Sequence, residues 1–194
     1  MEETSVQRLA RVLRALVLIT FVCNLLVMPL VPGLAIRAVG AGTDQIFLVF
    51  RAMFGLSGGS ALESVWQFLT EALFGVWTDR LLSLVTLFLW LCGICTAIIL
   101  WQAKKVLDTI LAQTPFQMTN ARALHRAAVC CWIISGAALV RLVLWLWADG
   151  TPAPLFTYTA LFIPAFFMAG LLFQVMSALF RQASELKEDQ DLTI

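Results

Sequence analysis

Four runs almost free of charge govern what this chain can fold into. Residues 15–36 and 81–103 contain no Asp, Glu, Lys or Arg, residues 127–148 contain only Arg141, and residues 150–180 contain none. A bilayer's hydrocarbon core is about 30 Å thick and takes roughly 20 helical residues to cross. Each run is therefore long enough to span. The last opens with Pro152 and Pro154, and proline is best tolerated in a first turn, which sets the start of that span near Leu155. The expected crossings are 15–36, 81–103, 127–148 and 155–180. Only 13% of the residues are charged, against roughly 25% in an average soluble domain, so an ordinary water-soluble globule is excluded.

The expected fold is all-α, an integral membrane four-helix bundle forming one membrane domain over residues 1–194. Arg8, Arg11 and Arg14 precede the first run as in a secretory signal, but the run is too long for a cleaved signal's core and three further spans follow. It reads as an uncleaved anchor. Orientation follows from the placement of Lys and Arg. Arg8, Arg11, Arg14, Lys104, Lys105, Arg122, Arg126, Arg181 and Lys187 fall on one side of the four spans, whereas Arg37, Arg51 and Arg80 fall on the other. Both termini are accordingly expected to be cytoplasmic, in a bacterial cell membrane. The net charge of +1 offers no basic field for direct nucleic-acid binding, and the partner implied by composition is the lipid bilayer.

The external connection, 37–80, is itself largely apolar. Ser60 and Glu63 form a capping box, in which each side chain satisfies an amide of the other's turn, so a helix is expected to start there. Leu62, Val65, Trp66, Leu69 and Leu73 then share one face and Glu63, Gln67 and Glu71 another, as in an interfacial helix. Residues 46–56 are too few to span and read as a re-entrant or interfacial piece. On the cytoplasmic side, Ala103, Val106, Leu107, Ile110 and Leu111 make an apolar stripe beside Lys104, Lys105 and Asp108. The second span should continue as an amphipathic connection until Thr114-Pro115 disfavours helix. Thr119 or Asn120 is the expected cap of the next helix, with Phe116 packing the turn onto the bundle.

Few residues suggest chemistry. Cys92 and Cys95 form a Cys-x-x-Cys pair, the spacing of thiol oxidoreductases, but deep inside an apolar helix, where small cysteines also serve packing. All five cysteines lie within spans, which argues against a disulfide scaffold. Cys130, Cys131 and His125 do not converge on one helix face, so no metal site is expected, and no cofactor motif is present. Arg141 is an intramembrane charge, costing about 2.5–3.5 kcal/mol at mid-membrane by insertion scales. It is read either as paired or snorkelling toward Asp149 or Asp79, or as a substrate contact. Pro164 and Gly136 are weak signs of a broken transporter helix, equally expected in ordinary packing.

Two stretches are distinctive. Residues 110–124 carry Pro115, Phe116, Asn120 and Arg122, and residues 180–194 carry Glu185, Glu188, Asp189 and Asp191 before a Leu192-Thr193-Ile194 end. In both motifs and their order the chain resembles the bacterial four-span membrane proteins catalogued as domain of unknown function 2975. It departs from them at Gln113-Thr114, where a glycine-containing pair commonly precedes Pro-Phe. The resemblance implies a membrane protein without an assigned activity, with a small cytoplasmic helix-turn-helix regulator as a partner. Pro115, Phe116, Asn120, Arg122, Glu185, Glu188, Asp189 and Asp191 are the candidate partner-binding residues, the basic loop pairing with the acidic tail or with the partner. Leu192-Thr193-Ile194 is either an added β-strand or a frayed end. The leading expectation is non-enzymatic. A thiol oxidoreductase using Cys92 and Cys95, and a small transporter or pore-forming homo-oligomer, are the alternatives.

Overall fold

The computed structural model describes residues 5–31, 80–114, 116–149 and 158–191. They form four long α-helices and no strand: α1 (Ser5–Val27), α2 (Arg80–Leu111), α3 (Met118–Asp149) and α4 (Tyr158–Asp191). The chain is all-α, as the charge-free runs predict. A 3-10 turn, Met28–Leu30, follows α1 with Pro29 inside it. Segments Arg8–Val27, Ser83–Leu111, Met118–Trp147 and Ala160–Gln190 are each long and apolar enough to cross a membrane, which fits a multi-pass membrane protein. The expectations for Ser60 and Glu63, for the connection 37–79, for the Pro152–Pro154 start, for Pro115 and for Leu192-Thr193-Ile194 lie outside the described residues.

At the end that carries its charges every helix overruns its charge-free run, whereas α1 stops at Val27, short of the expected 36, and gives way to the 3-10 turn. α1 begins at Ser5, ahead of its arginines, α2 continues to Leu111, α3 starts at Met118, before Arg122 and Arg126, and α4 runs through Arg181 to Asp191. The first charge marks where the side chains meet water, whereas the backbone stays helical because its hydrogen bonds are internal.

The chain divides into two compact units, residues 25–93 and residues 1–24 with 94–194. In the former, Trp90 Nε1 donates to the Met28 carbonyl at 3.1 Å, giving the indole N–H its partner. In the latter, successive helices run antiparallel. Arg14 meets Asp108 and Phe21 meets Trp101, with ring centroids 5.7 Å apart, between α1 and α2. Asn120 meets Thr109, and Cys130 lies beside Cys95, between α2 and α3.

The α3–α4 interface is extensive. Its register is read from three hydrogen bonds: Ser177 Oγ donates to the Ala121 carbonyl at 2.7 Å, His125 Nδ1 lies 2.9 Å from Gln174 Oε1, and Ser135 Oγ donates to the Ile163 carbonyl at 2.9 Å. The last bond ties α3 to α4 beside Pro164, whose ring removes an N–H from the α4 ladder. Over its most apolar window α3 is 39% buried, against 6–11% for the other three, so α3 is the packed centre of this unit. Its buried positions are mostly small: Ala121, Ala127, Ala128, Cys131, Ser135 and Ala138. Lipid tails are as apolar as leucine, so membrane helices gain by close backbone approach rather than by burying grease. Gly170 marks a close approach: a Cβ there would run into the Trp132 indole and lie 3.3 Å from the Ala128 carbonyl oxygen. Leucines such as Leu9, Leu26, Leu161 and Leu172 are correspondingly exposed, as lipid-facing side chains are.

Candidate functional site at the charged end

The antiparallel order brings the start of α1, the α2–α3 connection and the end of α4 to one end of their unit. The connection is fixed first by the end of α2. Thr114 N–H donates to the Thr109 carbonyl and Gln113 N–H to the Ile110 carbonyl, both at 3.1 Å, the paired bonds of a Schellman ending. Gln113 adopts φ 59°, in the left-handed region that favours glycine. Gln113 thus takes a conformation that glycine takes more easily.

Thr109 also anchors α3. Its Oγ1 donates to the Val106 carbonyl and accepts from Asn120 Nδ2, each at 2.7 Å. This corrects the expected cap. α3 starts at Met118, Asn120 N–H donates to the Gln117 carbonyl at 3.0 Å, and Thr119 Oγ1 bonds the Gln117 side chain at 3.2 Å. Asn120 is 1% exposed, and a buried amide needs hydrogen-bond partners, one of which is Thr109 on the neighbouring helix. It is thus a structural residue of the turn and offers no surface to a partner. Phe116, half exposed, sets its ring 6.0 Å from that of Phe180 and so joins the connection to α4.

On the α1 side, Arg14 Nε lies 2.8 Å from Asp108 Oδ1 as an ion pair without hydrogen-bond alignment, and Lys104 Nζ lies 3.8 Å from Oδ2. The Lys104 ammonium also stands 5.1 Å from the centroid of the Trp101 ring, within cation–π reach.

The acidic tail is helical. Arg181 Nε donates to Glu185 Oε1 at 2.9 Å, so Glu185 pairs one turn back on its own helix, while Glu188 and Asp189 are exposed. Asp191 ends α4. Arg122 faces instead a groove of about 590 Å³ between α3 and α4, lined by Met118, Ala121, Arg122, His125, Arg126, Gln174, Ser177, Ala178 and Arg181. Candidate residues Arg122, Phe116 and Glu185 thus share one end, whereas Arg141 sits half-buried farther along α3 and has an interaction partner. The groove combines residues that no single motif holds. The signal for it was that Arg126 is the last charge before one apolar run and Arg181 the first after another; only their antiparallel register makes them neighbours.

Cys92 is half-buried and Cys95 buried, and both are free thiols. Among the described residues no three His, Cys, Asp or Glu side chains are grouped as they would be around a metal ion.

Neither the curated proteins nor the solved structures contain a match to this chain. The family model described as "Protein of unknown function (DUF2975)" matches residues 62–194, which takes in α2, α3, α4, the Thr109–Asn120 turn and the charged tail. With more than half its length inside that match, the chain belongs to the DUF2975 family.

Proposed function

We propose that this is a non-enzymatic multi-pass protein of the bacterial cell membrane whose cytoplasmic face docks a soluble regulator. The observation that carries this reading is the extension of α4 beyond its apolar segment. From Arg181 to Gln190 the helix is about 15 Å long and largely exposed, with charged Glu185, Lys187, Glu188 and Asp189 and an exposed apolar Leu186. A packed membrane helix gains nothing for its own bundle from such a projection. An exposed helix with one apolar anchor among charges is the form in which a helix is offered to a partner's groove. Phe116, half exposed beside Phe180, supplies a second apolar anchor at its base.

The nine Lys and Arg residues assigned to this side support a cytoplasmic position for it, where a small helix-turn-helix regulator, the partner that the family resemblance implies, would meet it. The test is binding of such a purified regulator to the full chain in lipid nanodiscs. A chain ending at Ser184 and carrying Phe116→Ser should lose the complex while keeping its helical spectrum. Undiminished binding by that variant would refute the reading, as would a full chain that binds no such regulator.

A further inference from the structure

The groove between α3 and α4 is built for an anion. Arg122 and Arg126 lie one turn apart on α3, Arg181 faces them from α4, and His125 stands between, held at 2.9 Å by Gln174. Like charges one turn apart on a helix repel. Arg122 and Arg126 have no ion-pair partner among the described residues, and Glu185 is paired with Arg181. Around about 590 Å³, Arg122 and Arg126 thus leave a positive potential that no ion pair among the described residues neutralises, and Arg181, shared with Glu185, lines the same space. Planar guanidinium groups match the oxygens of phosphate in a paired, directional way.

Depth selects the form of the phosphate. Arg126 is the last charge before the apolar run 127–148 apart from Arg141, and Arg181 is the first after the run 150–180, so the arginines sit where hydrocarbon gives way to headgroups. Below them, one turn at a time, follow Val129 and Ile133 on α3 and Leu171 and Phe167 on α4. All four are apolar side chains with 37–51% of their surface exposed, a track along which acyl chains can lie. Basic pockets between membrane helices at this level are where anionic headgroups settle.

We propose that this groove binds the phosphate of an anionic phospholipid, its diester held by Arg122, Arg126 and Arg181 and its chains on the apolar track below. The inference does not rest on the docking reading: the docking test removes Phe116 and the chain beyond Ser184, none of which lines this groove. Native mass spectrometry of the purified full chain tests it, with phosphatidylglycerol, phosphatidylcholine and inorganic phosphate as probes. Phosphatidylglycerol should be retained at least tenfold more than phosphatidylcholine, whose choline cancels the charge. The Arg122→Gln/Arg126→Gln double variant should lose that preference, and Arg8→Gln/Arg11→Gln, equal in charge lost but outside the groove, should keep it. Excess inorganic phosphate should leave the lipid in place; its displacement of phosphatidylglycerol would overturn the lipid source and assign the groove to soluble phosphate. Equal retention by the groove variant, or equal retention of both lipids, overturns the site altogether. A circular dichroism spectrum for each variant separates lost binding from lost folding, and should the glutamine variant misfold, Arg122→Lys/Arg126→Lys, which keeps charge but not paired geometry, should give intermediate retention.

Discussion

Asn120 donates from Nδ2 to Thr109 Oγ1 at 2.7 Å, and the same hydroxyl donates to the Val106 carbonyl at 2.7 Å. One threonine thus holds the last turn of α2 to the first turn of α3. Thr109→Val removes the acceptor while nearly keeping its shape, so the buried Asn120 amide loses this bond at a cost of about 1–3 kcal/mol. A fall in thermal midpoint in detergent is expected, together with a smaller further loss when Asn120→Leu is added, because the amide that lost its bond is then gone. Additive losses from the two changes would show that the pair is not coupled.

Gln113 offers a change in the opposite direction. Its left-handed backbone, φ 59°, costs a residue with a Cβ about 1–2 kcal/mol, whereas glycine loses about 0.4–1 kcal/mol through its freer unfolded chain. Gln113→Gly should therefore stabilise the protein by roughly 0.5–1 kcal/mol as the difference of those two effects, and Gln113→Val should destabilise it. Chemical denaturation in one detergent, comparing the three chains, measures the order.

Gly170 sits in a tight contact. Because a Cβ there meets the Trp132 indole and the Ala128 carbonyl, Gly170→Leu must push α3 and α4 apart, with an overpacking loss of about 1–3 kcal/mol. Trp132→Ala alone leaves a gap, but combined with Gly170→Ala it should recover part of the loss. Tryptophan emission of Gly170→Ala should shift relative to the parent, since the indole is the group that has to move.

The Arg14–Asp108 pair is a weaker tie. Both side chains are more than a third exposed, 47% and 38%, so removal by Asp108→Asn should cost only about 0.2–1 kcal/mol and less at high salt. The exchange Arg14→Asp/Asp108→Arg should be more stable than either single reversal, as measured by a double-mutant cycle.

Thiol accessibility follows the packing. Cys23 is exposed on α1, whereas Cys95, Cys130 and Cys131 are buried. In detergent a membrane-permeant maleimide should modify Cys23 well before the other three, which should react only on denaturation. Equal labelling of all four would contradict the packing of α3 against α2.

What the sequence determined by itself was the solvent and the elements. Charge-free length decides whether a helix can live in lipid, and that is a local property: residues 81–103 or 127–148 reveal it without reference to any other part of the chain. The turn at Thr114 was legible for the same reason, since proline constrains its neighbour directly. Asn120 was misread because a local rule, side-chain capping, competes with a longer-range one, the need of a buried amide for a partner; Thr109, eleven positions earlier, became that partner only once α2 and α3 lay side by side. The groove depended on the same step. Arg122, Arg126 and Arg181 are unremarkable as charges at helix ends, and only the antiparallel register of α3 and α4, fixed by small residues at Ala121, Ala128 and Gly170, sets them around one space. Periodicity reports which way a side chain faces along its own helix; which side chains meet is decided by how closely two backbones can approach.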